Sequence, residues 1–154
     1  MQQKFAQPNA FLFLILLVFG TTSTLAIDQL LKYKIRQHGG FYICNQGISF
    51  GLPIRAELFW LILAIFLLLE ITYIIRLLKN NRLQFSLAAA LSLVTGGILS
   101  NGLDRYIHGC VTDHIYIKVQ FLPVFNFADI AIFLGFCLFY ITLLKNDRHT
   151  GDKL

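Results

Sequence analysis

Charged residues are scarce in this chain of 154 residues: they make up 14%, with only eight Asp and Glu, whereas hydrophobic residues make up 56%. At a mean hydropathy of +0.67, a soluble domain of this length could not bury so much apolar surface. The charges collect between apolar blocks, which is typical of a multi-span membrane protein. We therefore predict one membrane domain over residues 1–154, whose net charge of +5 reflects basic span ends and not nucleic-acid binding.

Cysteine is also rare, and the spacing of Cys44, Cys110 and Cys137 fits no zinc or redox motif. The sequence therefore predicts no metal and no cofactor. Cys137 lies in an apolar run and is expected to pack there. Cys44 and Cys110 fall in loops predicted on the same side of the membrane, so a disulfide fits the geometry, but free thiols are the default expectation.

Four apolar blocks are candidates for helical spans, given a rise of about 1.5 Å per residue and a hydrocarbon core of about 30 Å. They cover approximately residues 11–27, 58–78, 85–100 and 125–144, and the third is short for a span. The first block resembles a signal peptide, but an uncleaved span is the preferred interpretation. Four spans put both termini on one side, and the density of Lys and Arg in the shorter segments predicts that this side is the cytoplasm.

The two longer loops are predicted to carry a small sheet. Residues 115–121 alternate apolar and polar side chains, which indicates a half-buried strand, and residues 40–44 could pair with it. Pro123 would then end the strand before the fourth helix. The predicted fold is thus an all-α membrane protein with four transmembrane helices and a small β-sheet platform on the extracytoplasmic face.

Three of the eight acidic residues, Asp104, Asp113 and Asp129, lie in one stretch between two apolar runs. Asp129 is one turn inside an apolar run, where an ionised carboxylate is costly, so it is a functional candidate. Two carboxyl groups about 3 Å apart share a proton, and such a pair can activate water and polarise a peptide carbonyl. The structural alternative is that Asp113 caps a turn and Asp129 bonds to a neighbouring helix.

Five short motifs occur in the order and at the spacing of one known family, and through them the chain resembles lipoprotein signal peptidase (signal peptidase II), a family of bacterial intramembrane aspartic proteases. The motifs are Asp28-Gln29-x-x-Lys32, Asn45-Gln46-Gly47-Ile48-Ser49-Phe50-Gly51, Gly96-Gly97-x-x-x-Asn101-x-x-Asp104-Arg105, Val111-Thr112-Asp113 and Phe125-Asn126-x-Ala128-Asp129. Any one of them is a weak signal, whereas five in order on a four-span frame are a strong one.

The resemblance implies that Asp113 and Asp129 form a catalytic dyad that needs no metal. It implies a substrate as well, a prolipoprotein whose cysteine carries diacylglycerol and which is cut just before that cysteine. Globomycin, the family's peptide inhibitor, is expected to compete for the same site. The resemblance further implies a monomer in the bacterial cytoplasmic (inner) membrane, surrounded by membrane lipids, with its active site near the extracytoplasmic face.

The same resemblance suggests supporting roles, each with a structural alternative. Asn45, Asn101 and Asn126 are expected to line the site and hold the aspartates or the substrate backbone, although helix capping explains Asn126 equally well. Asp28 and Lys32, at positions i and i+4, are expected to form an ion pair, and Asp28 to line the site as well.

The remaining motif residues are interpreted mainly as scaffold. Asp104 and Arg105 are adjacent and cannot face each other on a helix, so each is expected to pair with another element first and with substrate second. Gly47 is expected to permit a tight turn, and so is Gly51. Ala128, beside the second aspartate, belongs to the same supporting set.

The chain departs from the family pattern at Ser100, where Gly is usual, at His114, where an apolar residue is usual, and in residues 116–123, which lack a common Trp. His114 is expected to be a solvated neighbour of Asp113. Glu70, well inside the second span, is expected to be neutral and bonded to a neighbouring helix. Intramembrane acids also leave open a small proton or ion transporter, or a non-catalytic scaffold, as alternatives.

Overall fold

Four long helices dominate the computed structural model of the protein, which describes residues 8–47, 55–119 and 122–151. They are α1 (Ala10–Gln37), α2 (Ala56–Lys79), α3 (Phe85–His108) and α4 (Phe127–Gly151). Each contains a stretch long and apolar enough to cross a membrane: Ala10–Gln37, Glu57–Lys79, Phe85–His108 and Phe127–Asn146. The predicted four-span architecture is therefore confirmed.

Two helices continue beyond the ends predicted for the first and third spans. The first was expected to end near residue 27 and the third near residue 100, but α1 continues to Gln37 and α3 to His108. The additional turns carry polar side chains that bond to one another across the helix interface, which an apolar-block criterion cannot detect. The α3 helix ends at Gly109, whose φ of 74° is the left-handed conformation that glycine adopts without strain.

A two-stranded antiparallel sheet joins the two longer connections, as predicted, but it uses other residues. Strand β1 (Ile43–Asn45) pairs with β2 (Val111–Asp113), and Cys44 stands opposite Thr112. The expected pairing of residues 115–121 with residues 40–44 is wrong. Ile115 instead forms an isolated bridge with Phe125, so α4 begins two residues later than predicted.

Helix α3 is the centre of the bundle and the most buried of the four spans. Two adjacent glycines let its neighbours approach closely, as expected for helices packed in lipid. A Cβ on Gly96 would lie 2.8 Å from the Thr21 carbonyl oxygen of α1, and a Cβ on Gly97 would lie 2.6 Å from the Ala128 carbonyl oxygen of α4. The backbones of α1 and α4 are thereby held close to two different faces of α3.

Helix α2 packs on this group through longer side chains. The rings of Tyr73 in α2 and Phe139 in α4 lie 5.6 Å apart, and Leu77 joins a buried apolar cluster that includes Phe13 and Leu87. Large apolar side chains on the outer surfaces of the helices remain exposed, as a surface in contact with lipid requires.

A disulfide links Cys44 to Cys110, with their Cα atoms 5.4 Å apart. The default expectation of free thiols is therefore wrong for this pair, while Cys137 in α4 is free. Strand pairing explains the difference, because it brings two residues that are 66 positions apart in sequence within bonding distance.

Candidate active site

The two aspartates implied by the motifs meet at one residue, Asn126. Asp113 is the last residue of β2, and Asp129 lies in the first turn of α4. The Asn126 Nδ2 donates to Asp113 Oδ1 at 2.6 Å, and its backbone N–H donates to Asp129 Oδ2 at 3.1 Å. Its Oδ1 accepts from the Asp129 backbone N–H at 3.0 Å, so Asn126 both caps α4 and bridges the two carboxyl groups.

Two further asparagines complete the hydrogen bonding of these carboxyl groups. Asn45 Nδ2 donates to Asp113 Oδ2 at 2.9 Å, and Asn101 Nδ2 donates to Asp129 Oδ1 at 2.8 Å. Each of the four carboxyl oxygens thus accepts a hydrogen bond from a neutral amide. Within the described ranges, neither aspartate forms an ion pair.

Each amide is held in the orientation that its role requires. The Gly47 backbone N–H donates to Asn45 Oδ1 at 2.9 Å, which turns Nδ2 of that amide toward Asp113. Lys32 Nζ donates to Asn101 Oδ1 at 2.7 Å. Because an ammonium group has donors only, this contact fixes the oxygen of the Asn101 amide and leaves its nitrogen to face Asp129.

Burial governs the electrostatics of the pair. Asp113 is 2% exposed, and burial raises its pKa, while hydrogen bonds from Asn45 and Asn126 lower it in part. Asp129 is half-buried and interacts electrostatically with Asp113. Two carboxyl groups coupled in this way favour the state in which only one of them is ionised.

Behind the pair lies a network of buried charges that includes Lys32, whose side chain is fully buried. Lys32 Nζ lies 2.7 Å from Asp28 Oδ2, the expected i, i+4 ion pair, and 3.3 Å from Asp104 Oδ2. Arg36 Nη1 lies 3.3 Å from Asp104 Oδ1 and donates to Thr112 Oγ1 at 2.8 Å. Both Asp28 and Asp104 are therefore neutralised by cations.

Asp28 ties the start of α4 to α1. Its Oδ1 accepts from the Ala128 backbone N–H at 2.8 Å, and its Oδ2 accepts from Ser100 Oγ at 2.7 Å. Ser100, the departure from the family pattern, therefore adds a bond that glycine could not make. Asp28 therefore lies next to Asp129 through the backbone of the preceding residue, Ala128.

Asp104 and Arg105 point to different partners, as predicted for adjacent helical residues. Asp104 Oδ2 accepts from the Thr112 backbone N–H at 2.9 Å, which holds β2 against α3. Arg105 donates to the Gly47 carbonyl oxygen, and its guanidinium lies 4.6 Å from the centre of the Phe59 ring in α2. Gly47 is buried, whereas Gly51 and the rest of its motif from residue 48 onward lie outside the described residues.

Two singled-out residues do not join the pair. Glu70 in α2 accepts a hydrogen bond from Thr95 in α3, the bond to a neighbouring helix that was expected. His114 is half-buried, and its Nδ1 is enclosed without a partner among the described residues, so the expectation of a solvated side chain is wrong. Its position immediately after a fully paired β2 explains the burial, since its backbone N–H bonds to the Phe125 carbonyl at 3.0 Å.

Three side chains of the network have no role predicted from the sequence, although two of them, Gln29 and Thr112, belong to the quoted motifs. Arg36 and Thr112 join Asp104, and Gln29 Nε2 donates to Ser100 Oγ at 2.9 Å. Arg36 lies four residues after Lys32, and this i, i+4 spacing was the signal that could have found it. Within the part of the chain that the structure describes, no cluster of His, Cys, Asp and Glu side chains could hold a metal ion.

Sequence comparison places these residues in a known group of proteins. Residues 12–145 match the family model described as Signal peptidase (SPase) II. The lipoprotein signal peptidase of Blochmanniella pennsylvanica is 39% identical over 117 residues, which are 71% of this chain and 71% of that protein. The lipoprotein signal peptidase of Caldicellulosiruptor bescii is 35% identical over 145 residues, which are 86% of this chain and 91% of that protein.

Two solved structures, each of a bacterial membrane enzyme determined by the in meso method, have the same fold. One, at 2.3 Å resolution, is 26% identical with a TM-score of 0.73 over 85% of this chain and 88% of that chain. The other, at 1.9 Å resolution, is also 26% identical, with a TM-score of 0.66 over 84% of this chain and 92% of that chain.

Proposed function

This chain belongs to the signal peptidase II family, and we propose that it removes signal peptides from diacylglyceryl-modified prolipoproteins as an aspartic endopeptidase. The observation that carries the proposal is the pair Asp113 and Asp129, bridged by Asn126 and bonded on all four oxygens by neutral amides. Ion-paired carboxylates would be held fully ionised, whereas amide-bound, buried ones can share a proton.

In the proposed mechanism the ionised aspartate takes a proton from a water molecule, which attacks the scissile carbonyl carbon. The protonated aspartate donates a hydrogen bond to the carbonyl oxygen, where negative charge develops. The tetrahedral intermediate then collapses as a proton passes from the pair to the leaving amine. The asparagines hold both carboxyl groups in place throughout, and the proton belongs to the pair rather than to one residue.

The site is proposed to lie at the extracytoplasmic face of the inner membrane, with both termini in the cytoplasm. Strand β2, which ends in Asp113, is covalently linked through Cys110 to β1, and disulfides persist in oxidising compartments. At this depth, the lipid-modified cysteine of the substrate can present its peptide bond to the pair while its acyl chains stay in the bilayer. We further propose that the enzyme is a monomer surrounded by membrane lipids and that a globomycin-type inhibitor competes for the site.

A proteoliposome assay tests the proposal. The protein is reconstituted with a precursor that carries diacylglycerol on its cysteine, and mass spectrometry identifies the products. We expect one cut, immediately before the lipidated cysteine, and loss of about 10²–10⁴-fold or more of the rate in Asp129→Asn. Glu57→Gln, which removes an exposed carboxylate at the start of α2, is the matched control.

The outcomes separate the alternatives. Full cleavage by Asp129→Asn would end the aspartic mechanism, and cleavage elsewhere in the precursor would contradict the proposed specificity. A proton flux without cleavage would support the transporter instead, and neither activity would support a scaffold.

A further inference from the structure

The Cys44–Cys110 disulfide joins the two strands that carry part of the site. Cys44 is the central residue of β1, next to Asn45, and Cys110 directly precedes β2, which ends in Asp113. Cys44 is exposed and Cys110 is 6% exposed, so a reductant can reach the bond through Cys44.

Apart from the disulfide, few contacts hold the pairing of β1 with β2. Each strand has three residues, and an isolated two-stranded pair is marginally stable in water even when it is longer. Beyond the ladder, two polar contacts hold β1 and the two residues after it: Asn45 donates to Asp113 of β2, and Arg105 of α3 donates to the Gly47 carbonyl. The disulfide is the one covalent constraint on the register that sets Asn45 against Asp113.

We propose that the Cys44–Cys110 disulfide is required for full peptidase activity because it positions Asn45 against Asp113. The proposal rests on the function proposed above. As the S–S bond forms, the two thiols lose two protons and two electrons. A thiol–disulfide oxidoreductase on the same side of the membrane accepts them, and its own disulfide becomes two thiols.

The hydrogen bond from Asn45 has an electrostatic effect that makes the proposal measurable. Burial raises the pKa of Asp113, and the Asn45 hydrogen bond is among the contacts that lower it. The charged groups that face Asp113 are Lys32 from α1, Arg105 from α3 and Asp129 from α4. Reduction leaves these charges in place and frees Asn45, so the pKa of Asp113 rises and the pH profile of cleavage moves to higher pH.

The test compares the oxidised and reduced full-length protein in proteoliposomes. A phosphine reductant cleaves the bond, mass spectrometry after thiol alkylation confirms its state, and kcat/KM is measured across the pH range. We expect reduction to lower kcat/KM about tenfold or more, to move the pH profile upward, and to be reversed by reoxidation. The double variant Cys44→Ala/Cys110→Ala is expected to match the reduced wild type and to be insensitive to the reductant.

Two further variants separate positioning from general loosening. Cys137→Ala lacks the free cysteine in α4 and should keep both full activity and sensitivity to the reductant. Asn45→Ala should show the same upward shift of the pH profile, and reduction should add little to it, because the disulfide acts through that side chain. A reduced wild type with unchanged kcat/KM and pH profile would overturn the inference, and so would fully additive effects of reduction and Asn45→Ala. An oxidised wild type that cleaves no precursor would instead refute the proposed function.

Discussion

Two pairs of aspartates lie at the same end of the bundle, and their partners are opposite in kind. Asp28 contacts the cation Lys32, and Asp104 contacts both Lys32 and Arg36. Asp113 and Asp129 accept hydrogen bonds from the neutral amides of asparagine side chains and a backbone. Burial alone does not explain the difference, because Asp113 is 2% exposed and thus nearly as buried as Asp28 and Asp104 at 0%, whereas Asp129 is half-buried.

Under the proposed function, the comparison assigns folding to one pair and chemistry to the other within one polar network. A buried carboxylate that contacts a cation is fixed in its ionised form and contributes to structure only as long as the partner remains. A buried carboxyl group bonded by amides can exist with or without its proton, which acid–base catalysis requires. Lys32 connects the two pairs. It neutralises the first pair, Asp28 and Asp104, and it orients the Asn101 amide for the second pair, Asp113 and Asp129.

The largest expected effect on stability is that of Lys32→Met. The substitution leaves Asp28 without a cation and removes one of two from Asp104, both in a fully buried site. Removing one partner of a buried ion pair costs about 3–5 kcal/mol, so the free energy of unfolding in detergent should fall by that amount. Lys34→Met, on the exposed surface of the same helix, is the control and should change little. Equal stability of the two variants would contradict the structural role of the first pair.

Gly97→Ala should damage both pairs by moving α4. The new Cβ would lie 2.6 Å from the Ala128 carbonyl oxygen, so the helix start that carries Asp129 must shift. Overpacking of this kind costs about 1–3 kcal/mol, and cleavage should fall with it. Gly102→Ala on the same helix is the matched control, because the atom nearest to its new Cβ would be Leu63 Cδ2 at 3.6 Å, an ordinary contact distance. If Gly102→Ala is as damaging as Gly97→Ala, the close approach is not the cause.

Ser100→Ala should have a smaller effect, confined to the first pair. It removes the hydroxyl group that donates to Asp28 Oδ2 at 2.7 Å, at a cost of about 1 kcal/mol in the free energy of unfolding. Thermal unfolding in detergent measures the change, with Ser86→Ala in the first turn of α3 for comparison. A Ser100→Ala protein as stable as the wild type would show that Lys32 and the Ala128 backbone N–H satisfy Asp28 without the hydroxyl group.

The smallest expected effect is a pH dependence of stability that belongs to the second pair. Burial raises the pKa of Asp113 in the folded protein, so the native state binds a proton that the unfolded state has already lost. The contribution of Asp113 to stability is therefore greatest below the ordinary carboxyl pKa and falls as pH rises through the folded pKa of Asp113. Asp113→Asn should remove this slope, measured as the free energy of unfolding against pH, whereas Glu57→Gln should keep it. A slope of the opposite sign, removed by Asp113→Asn, would mean that hydrogen bonding outweighs burial.

The four spans and the motif residues could be predicted from the sequence, but the contacts that join the motif residues to one another could not. Apolar blocks marked the four helices, but not the polar ends of α1 and α3, where Lys32 and Asp104 pair between the two helices. The strand was placed at residues 115–121 because they alternate, whereas β2 is Val111–Asp113, selected by contacts with β1 and Asp104. The disulfide depends on a distance that exists only after these strands pair. These three features depend on contacts between different elements, which local periodicity cannot encode, whereas Arg36 could have been found from its i, i+4 spacing to Lys32.

The division of roles is tested most directly by four parallel substitutions: Asp28→Asn, Asp104→Asn, Asp113→Asn and Asp129→Asn. For each purified variant, the rate of precursor cleavage and the midpoint of thermal unfolding are measured in the same detergent. We predict that Asp113→Asn and Asp129→Asn lose cleavage while their midpoint of unfolding stays at or above that of the wild type. We predict that Asp28→Asn and Asp104→Asn lower the midpoint. Cleavage at the wild-type rate by Asp113→Asn or Asp129→Asn, or a loss of stability as large in those variants as in the first two, would contradict the account.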